Sequence, residues 1–484
     1  MGNRRAIPVR ARPGPARRDV LTVLLTGALV VYLLGSLLRF AVDDHPLSFV
    51  DEHVHLDTQF KVHEGSYPHR GAVYGEALIR EWACGAGHQA GPPLVPCSDP
   101  TLGPEDLPSG QYTSGYIHYP TYFLGGEAFR RVVEVAAGPR YPLDVYRAYA
   151  AVVLALGVAL CGALAWRLLR LRGAALVAAT LVPVASSQFL MFGTLVNPMA
   201  SAVLAGALIA GAGLRWVLSG RGYWWLVAAT AAAAGVAVTN SLPAGAFVIA
   251  IVAAIVLRRV GRNVDTRWRP RWWHAAVLAA VLVAPIAVFG QVNSRRATVS
   301  NGTLYGFYDF DSWTSVLVGA VRELATFHGP WLEVEVLNAA EGDTVTRFVR
   351  ALGYGIPLWV TIVVVGSIVL GAFTRPRAVE PGATADAAQT AHIAVAATGG
   401  RPASALAVLA ASTLAAVVLY PPAMRISNAL TMGFDNGVVA RYTMAFTPLL
   451  VWLALLVTQD RPGIARVLAV LGTVGLLSVG ATAW

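Results

Sequence analysis

Asp51 and Glu52, followed by His53 and His55 in the stretch SFVDEHVHLD (residues 48–57), form the densest run of titratable side chains in the chain. A carboxylate whose pKa is raised by a like-charged neighbour or a partly apolar setting is a competent general base toward a hydroxyl. If the stretch is helical from Asp51 onward, Asp51 and His55 share one face at i, i+4. The same residues also suit an acidic N-cap and first turn favoured by the helix dipole. The spacing alone leaves these readings open.

The surroundings narrow them. Of 484 residues, 56% are hydrophobic and 13% charged, against about 25% charged in soluble domains. Apolar runs long enough to cross a bilayer recur near 20–40, 145–167, 173–192, 196–214, 223–240, 242–258, 273–290, 350–373, 403–421, 442–458 and 464–483. This predicts an all-α membrane protein of about eleven transmembrane helices. Arginine fills the N-terminal tail (residues 1–19) and then every second connection: Arg167 to Arg172, Arg215 and Arg221, Arg258 to Arg271, Arg375 and Arg377, Arg461 and Arg466. The positive-inside rule then puts the N-terminus in the cytoplasm and the C-terminus outside. The first run is long and lacks an A-x-A-like site before the carboxylates, so it reads as a retained anchor in the cell membrane. The net charge of +10 follows from these dispersed arginines, and no basic face that would suit nucleic acid collects them.

Residues 20–484 read as one transmembrane domain with two long outer loops, the first (41–144) and the fourth (291–349), and a small-residue cytoplasmic linker at 374–402. Loops of that length inside a compact protein are functional or disordered. The first holds seven of the ten histidines, which read as solvated side chains, since no tight metal-ligand spacing is present. It also holds Cys84 and Cys97, which predict a disulfide outside the membrane. YPTYFLGGEAFRRVVEV and WTSVLVGAVRELATFHGPWL read as amphipathic stretches on the bilayer surface.

Four patches carry a family resemblance: VDEHVHLDTQF (50–60), YIHYPTYFLGG (116–126), LVNPMASA (195–202) and NGVVARYTMAFTPLL (436–450). With the topology, they resemble the GT-C class of membrane glycosyltransferases, and most closely a group of actinobacterial-type predicted membrane proteins related to that class. The chain lacks the large soluble C-terminal domain of the protein mannosyltransferases in that class. The resemblance implies an inverting transferase that moves a sugar from a polyprenyl-phosphate donor to an extracytoplasmic cell-envelope glycan, lipid or protein. It implies Asp51 as the base, with Glu52 orienting the acceptor, hydrogen-bonding the sugar or, with Asp51, binding a divalent cation such as Mg or Mn. Arg441 and Tyr442 would bind the departing phosphate, with Arg425, Arg295 and Arg296 as other outer cations. His55, His118 and Tyr119 would contact sugar or acceptor. Interfacial anchoring competes for the arginines, and an aromatic belt competes for Tyr119. Two other classes fit the composition: a non-catalytic component of an envelope-assembly complex, and a lipid or solute transporter, for which mid-membrane charge and internal repeats are wanting.

Overall fold

The computed structural model describes residues 17–43, 45–48, 51–89, 95–99, 101–107, 110–262, 264, 267–300, 312–325, 329–332, 344–373, 404–432, 435 and 440–481. Most of the N-terminal tail and the linker at 374–402 lie outside them. Among the described residues the protein is all-helical, with one isolated bridge between Val73 and Tyr112 and no strand. The helices are α1 (Arg17–Ala41), α2 (Glu52–His63), α3 (Glu76–Cys84), α4 (Pro120–Ala137), α5 (Pro142–Arg167), α6 (Ala174–Leu181), α7 (Ser187–Thr194) and α8 (Ala202–Ser219). They continue as α9 (Tyr223–Ala234), α10 (Pro243–Arg259), α11 (Trp272–Arg296), α12 (Trp313–Ala325), α13 (Thr344–Phe373), α14 (Ala405–Met432), α15 (Thr447–Val457) and α16 (Pro462–Ala481).

Seven described helical segments are long and apolar enough to cross a bilayer: Asp19–Ala41, Pro142–Arg167, Pro198–Ser219, Val238–Arg259, Trp272–Arg296, Gly355–Ala372 and Ala405–Leu430. At about 1.5 Å per residue, even the shortest of these approaches the roughly 30 Å hydrocarbon thickness. Shorter apolar helices at Ala174–Val184, Tyr223–Ala234, Arg441–Val457 and Pro462–Ser478 fall on the other four expected runs. Leu and Ile side chains stand exposed on the long helices, as lipid-facing surfaces require.

The run at 173–192 departs from the expectation of one continuous span. It breaks into α6, a 3-10 turn at Val182–Val184 and α7. Pro183 supplies no backbone N–H, and hydropathy averages do not register such a break. Helix ends in an apolar setting leave carbonyls to be satisfied. Two indoles do it: Trp331 Nε1 donates to the Val182 carbonyl at 2.9 Å and Trp452 Nε1 to the Ala179 carbonyl at 3.2 Å. Trp331 comes from the second long loop, so that loop is tied into the membrane bundle. Asn197 then caps the next turn, its Oδ1 accepting from Met199 N at 2.9 Å, with Pro198 in the first position. The Asn-Pro pattern thus opens the 3-10 turn Pro198–Ser201 that leads into α8.

The first long loop folds over one end of the bundle as a helical cap. Leu47, Val54, Leu56, Tyr74, Leu78, Trp82, Leu143 and Tyr146 make its core. Cys84 and Cys97 are disulfide-bonded; closing so short a loop stabilises by about 3 kcal/mol in the chain-entropy model. α4 runs as the expected amphipathic helix, with Tyr122 and Phe123 buried and Leu124, Val132 and Val135 exposed along one stripe. It lies tight against α2: a Cβ on Gly126 would meet the Gln59 side chain, whose Nε2 donates to the Phe123 carbonyl at 3.0 Å. The start of the second long loop docks on the first, through Asn293 Nδ2 to the Tyr116 carbonyl (2.7 Å), Arg296 to the Tyr67 carbonyl (2.8 Å) and Thr298 N to the Arg70 carbonyl (2.9 Å).

Candidate active site

The helix foreseen near residue 51 begins at Glu52, and Asp51 is its N-cap residue. Asp51 does not cap with its side chain. Its backbone is left-handed (φ 63°, ψ 0°), a conformation uncommon for residues other than glycine, asparagine and aspartate. Strained backbone of this kind persists where neighbouring structure over-determines it. Here the neighbour is Glu52. Fully buried, it accepts from Arg147 Nε (2.9 Å) and Nη2 (3.0 Å), from Ser48 N (2.8 Å) and from Val196 N (3.2 Å). Arg147, 1% exposed, also donates to the carbonyls of His45 (3.2 Å) and Pro46 (3.3 Å). One ion pair thus fastens the chain leaving α1, the start of α2, helix α5 and the turn after α7.

This bidentate geometry satisfies both charges, which a buried pair needs. Burial alone would raise the Glu52 pKa, but the Arg147 guanidinium and its hydrogen bonds hold it below the usual carboxylate value. With four donors on its two oxygens, Glu52 has little capacity left for a ligand. Asp51 and Glu52 therefore do not form a shared two-carboxylate cation site. Among the described residues no three His, Cys, Asp or Glu side chains converge as metal ligands.

With Glu52 turned inward, Asp51 faces out. Its side chain is 49% exposed, and its Oδ2 accepts from Arg441 Nη2 at 3.0 Å. The two residues are 390 positions apart. Arg441 sits on the 3-10 turn Ala440–Phe446 that enters α15, with its guanidinium carbon 5.5 Å from the Tyr442 ring centroid and 5.8 Å from that of Phe192. Such ring faces stabilise a cation while leaving its N–H groups directional. The turn can lie this deep because α8 presents Gly206 to it: a Cβ there would collide with the Ala445 carbonyl.

His118 and His55 complete the cluster, their rings 4.5 Å apart and edge to face. His55 lies one turn after Asp51, its N–H donating to the Asp51 carbonyl at 3.1 Å. Burial lowers the pKa of both rings, to about 4 for His118; Arg441 pushes in the same direction, and for His118 the Asp51 carboxylate opposes it. Both are neutral at pH 7 and able to donate or accept a hydrogen bond according to tautomer. Nδ1 of His55 is buried without a hydrogen-bond partner among the described residues. For these two rings the expectation of solvated histidines is corrected, whereas His63 and His88 are exposed as expected. His53 is buried as well, but it packs on Tyr74 and Trp82 in the cap core.

The other candidates lie elsewhere. Tyr119 has the extended backbone expected of a residue before proline (φ −82°, ψ 146°), yet its ring packs on Phe289 of α11 at 4.5 Å. Arg425 is engaged by Asp435 (2.6 Å) and Glu323 (3.3 Å), pinning α12 to α14. Arg295 is exposed at the end of α11. A shallow cleft of about 150 Å³ between Phe60, His63, Arg130 and Tyr146 opens at the far end of α2 from Asp51.

Two residues of the site were passed over in the sequence: Arg147 and Phe192. Arg147 carried a signal, since a charged residue inside an apolar run needs a partner. Phe192 looks like any aromatic in a span. No protein-family model and no curated protein matches the chain.

Proposed function

We propose that the protein is an inverting glycosyltransferase of the GT-C kind, using a polyprenyl-phosphate sugar and an extracytoplasmic acceptor hydroxyl. The observation that carries this reading is the Asp51–Arg441 pair: an accessible carboxylate held against a guanidinium at the rim of an apolar helical bundle. Asp51 takes the proton of the acceptor hydroxyl. The acceptor oxygen then bonds to the anomeric carbon, from the side opposite the lipid phosphate. The carbon–oxygen bond to phosphate breaks, and the electron pair leaves on the phosphate. Arg441 meets that charge with preorganised N–H donors, the kind of interaction that is usually the largest catalytic contribution. Glu52 acts as a positioning residue, through Arg147 and the backbone of Asp51. Neutral His55 and His118 border the sugar or acceptor.

The reading includes eleven spans, a cytoplasmic N-terminus and both long loops outside, following the arginine distribution. Reporter fusions within 41–144 and 374–402 should give opposite compartments; the same compartment for both would overturn the orientation. A lipid transporter is the second reading, favoured by the broken α6–α7 segment, while the charged cluster at the bundle rim favours a surface reaction. Purified protein separates the two, because a transporter transfers no sugar. Arg441→Ala should cut turnover with a polyprenyl-phosphate sugar by about 2–4 kcal/mol of transition-state stabilisation. A folded variant with unchanged turnover would remove Arg441 from the phosphate site.

A further inference from the structure

Tyr420 stands at the point where α14 is interrupted in its hydrogen bonding. Pro421 and Pro422 follow it inside the helix, and neither supplies the N–H that the carbonyls of Val417 and Val418 would otherwise accept. The ring is buried at 6% exposure. Its hydroxyl is buried too, and it has no hydrogen-bond partner among the described residues. A buried hydroxyl left unsatisfied costs stability, and native proteins retain few of them without a reason. α14 packs against α15, the helix that the Arg441 turn enters, and Tyr420 lies near enough to Arg441 and Tyr442 for their charges to act on it. Phenylalanine would fill the same volume without the penalty, so packing alone does not account for the hydroxyl.

We propose that the Tyr420 hydroxyl is a phosphate-binding group, donating to an oxygen of the same lipid-linked phosphate that Arg441 binds. This rests on the functional reading above and extends it to a residue on a different helix. An arginine fork and a phenol approaching from separate helices would fix the phosphate oxygens in two directions. The bundle itself would then read the headgroup, independently of the cap formed by the first outer loop.

Binding of a short-chain polyprenyl monophosphate in detergent micelles tests it, with the uncharged polyprenol and inorganic phosphate as controls. Tyr420→Phe should keep or raise the thermal midpoint, because it removes an unsatisfied buried group. Its affinity for the lipid phosphate should fall about tenfold or more, as expected for losing a hydrogen bond to a charged group. Binding of the polyprenol should not change between the two proteins. Wild-type affinity in Tyr420→Phe would overturn the assignment, as would a lowered midpoint, which would reveal a protein partner for the hydroxyl. If Arg441→Ala weakens binding and Tyr420→Phe does not, only the Tyr420 proposal fails. If Arg441→Ala and wild type bind alike, the phosphate site itself is misplaced. Inorganic phosphate binding as tightly as the lipid would assign the site to the free anion.

Discussion

Arg147→Ala should lower folding stability by about 3–5 kcal/mol, the range for removing one member of a buried ion pair. The loss comes mainly from what remains. Glu52 stays buried with only the Ser48 and Val196 N–H groups, and the carbonyls of His45 and Pro46 lose their donor. The double replacement Glu52→Gln with Arg147→Met should recover part of that loss, since a neutral pair leaves no uncompensated charge. The pH dependence has a definite sign. Glu52 is held below its ordinary value of 4.5 in the folded state, so the pair's contribution is present above about 4.5 and is lost as pH falls through the lower folded value. Denaturant unfolding of the detergent-solubilised protein at pH 7 and in acid measures both effects. A loss under about 1 kcal/mol for Arg147→Ala, the value for an exposed pair, would contradict the structural role assigned to it.

The same pair explains why the chemistry at Asp51 should be sensitive to residues that never touch a ligand. Glu52 is adjacent to Asp51 and cannot move while Arg147 and the Val196 backbone hold it. The left-handed backbone of Asp51 lies between an outward carboxylate at Asp51 and an inward one at Glu52.

How legible this was differs by level. Hydropathy located every apolar helix among the described residues, because lipid imposes a length and a composition that need no knowledge of packing. The interruption at Val182–Val184 was harder to see, since a 3-10 turn capped by distant indoles is as apolar as the helix around it. The carboxylate pair was visible as a cluster, and the difference in burial and partner between its members was not. Adjacent residues at a helix start look equivalent in sequence, and only the arrival of Arg147 from α5 and Arg441 from the turn before α15 distinguishes them. The histidines read as solvent-exposed because the long loop was polar overall. The loop instead builds its own core around His53, and with the bundle it encloses His55 and His118. Tyr119 and Arg425 shared residue types with the site but belong to other contacts, and Arg295 stands exposed at the end of α11, which no local pattern records.

Asp51→Asn is the most direct test of the account. It preserves shape and the left-handed backbone, which asparagine tolerates, and removes the proton acceptor. The measurement is sugar transfer from a synthetic polyprenyl-phosphate sugar by purified wild type and variant, with lipid-phosphate binding followed in parallel. Transfer should fall by about two orders of magnitude or more, within the range for loss of a general base. Binding should survive or tighten, because Arg441 loses a carboxylate that competes with the phosphate. A folded Asp51→Asn protein that binds the donor and transfers sugar at the wild-type rate would contradict the assignment of Asp51 as the base, and with it the proposed transferase activity.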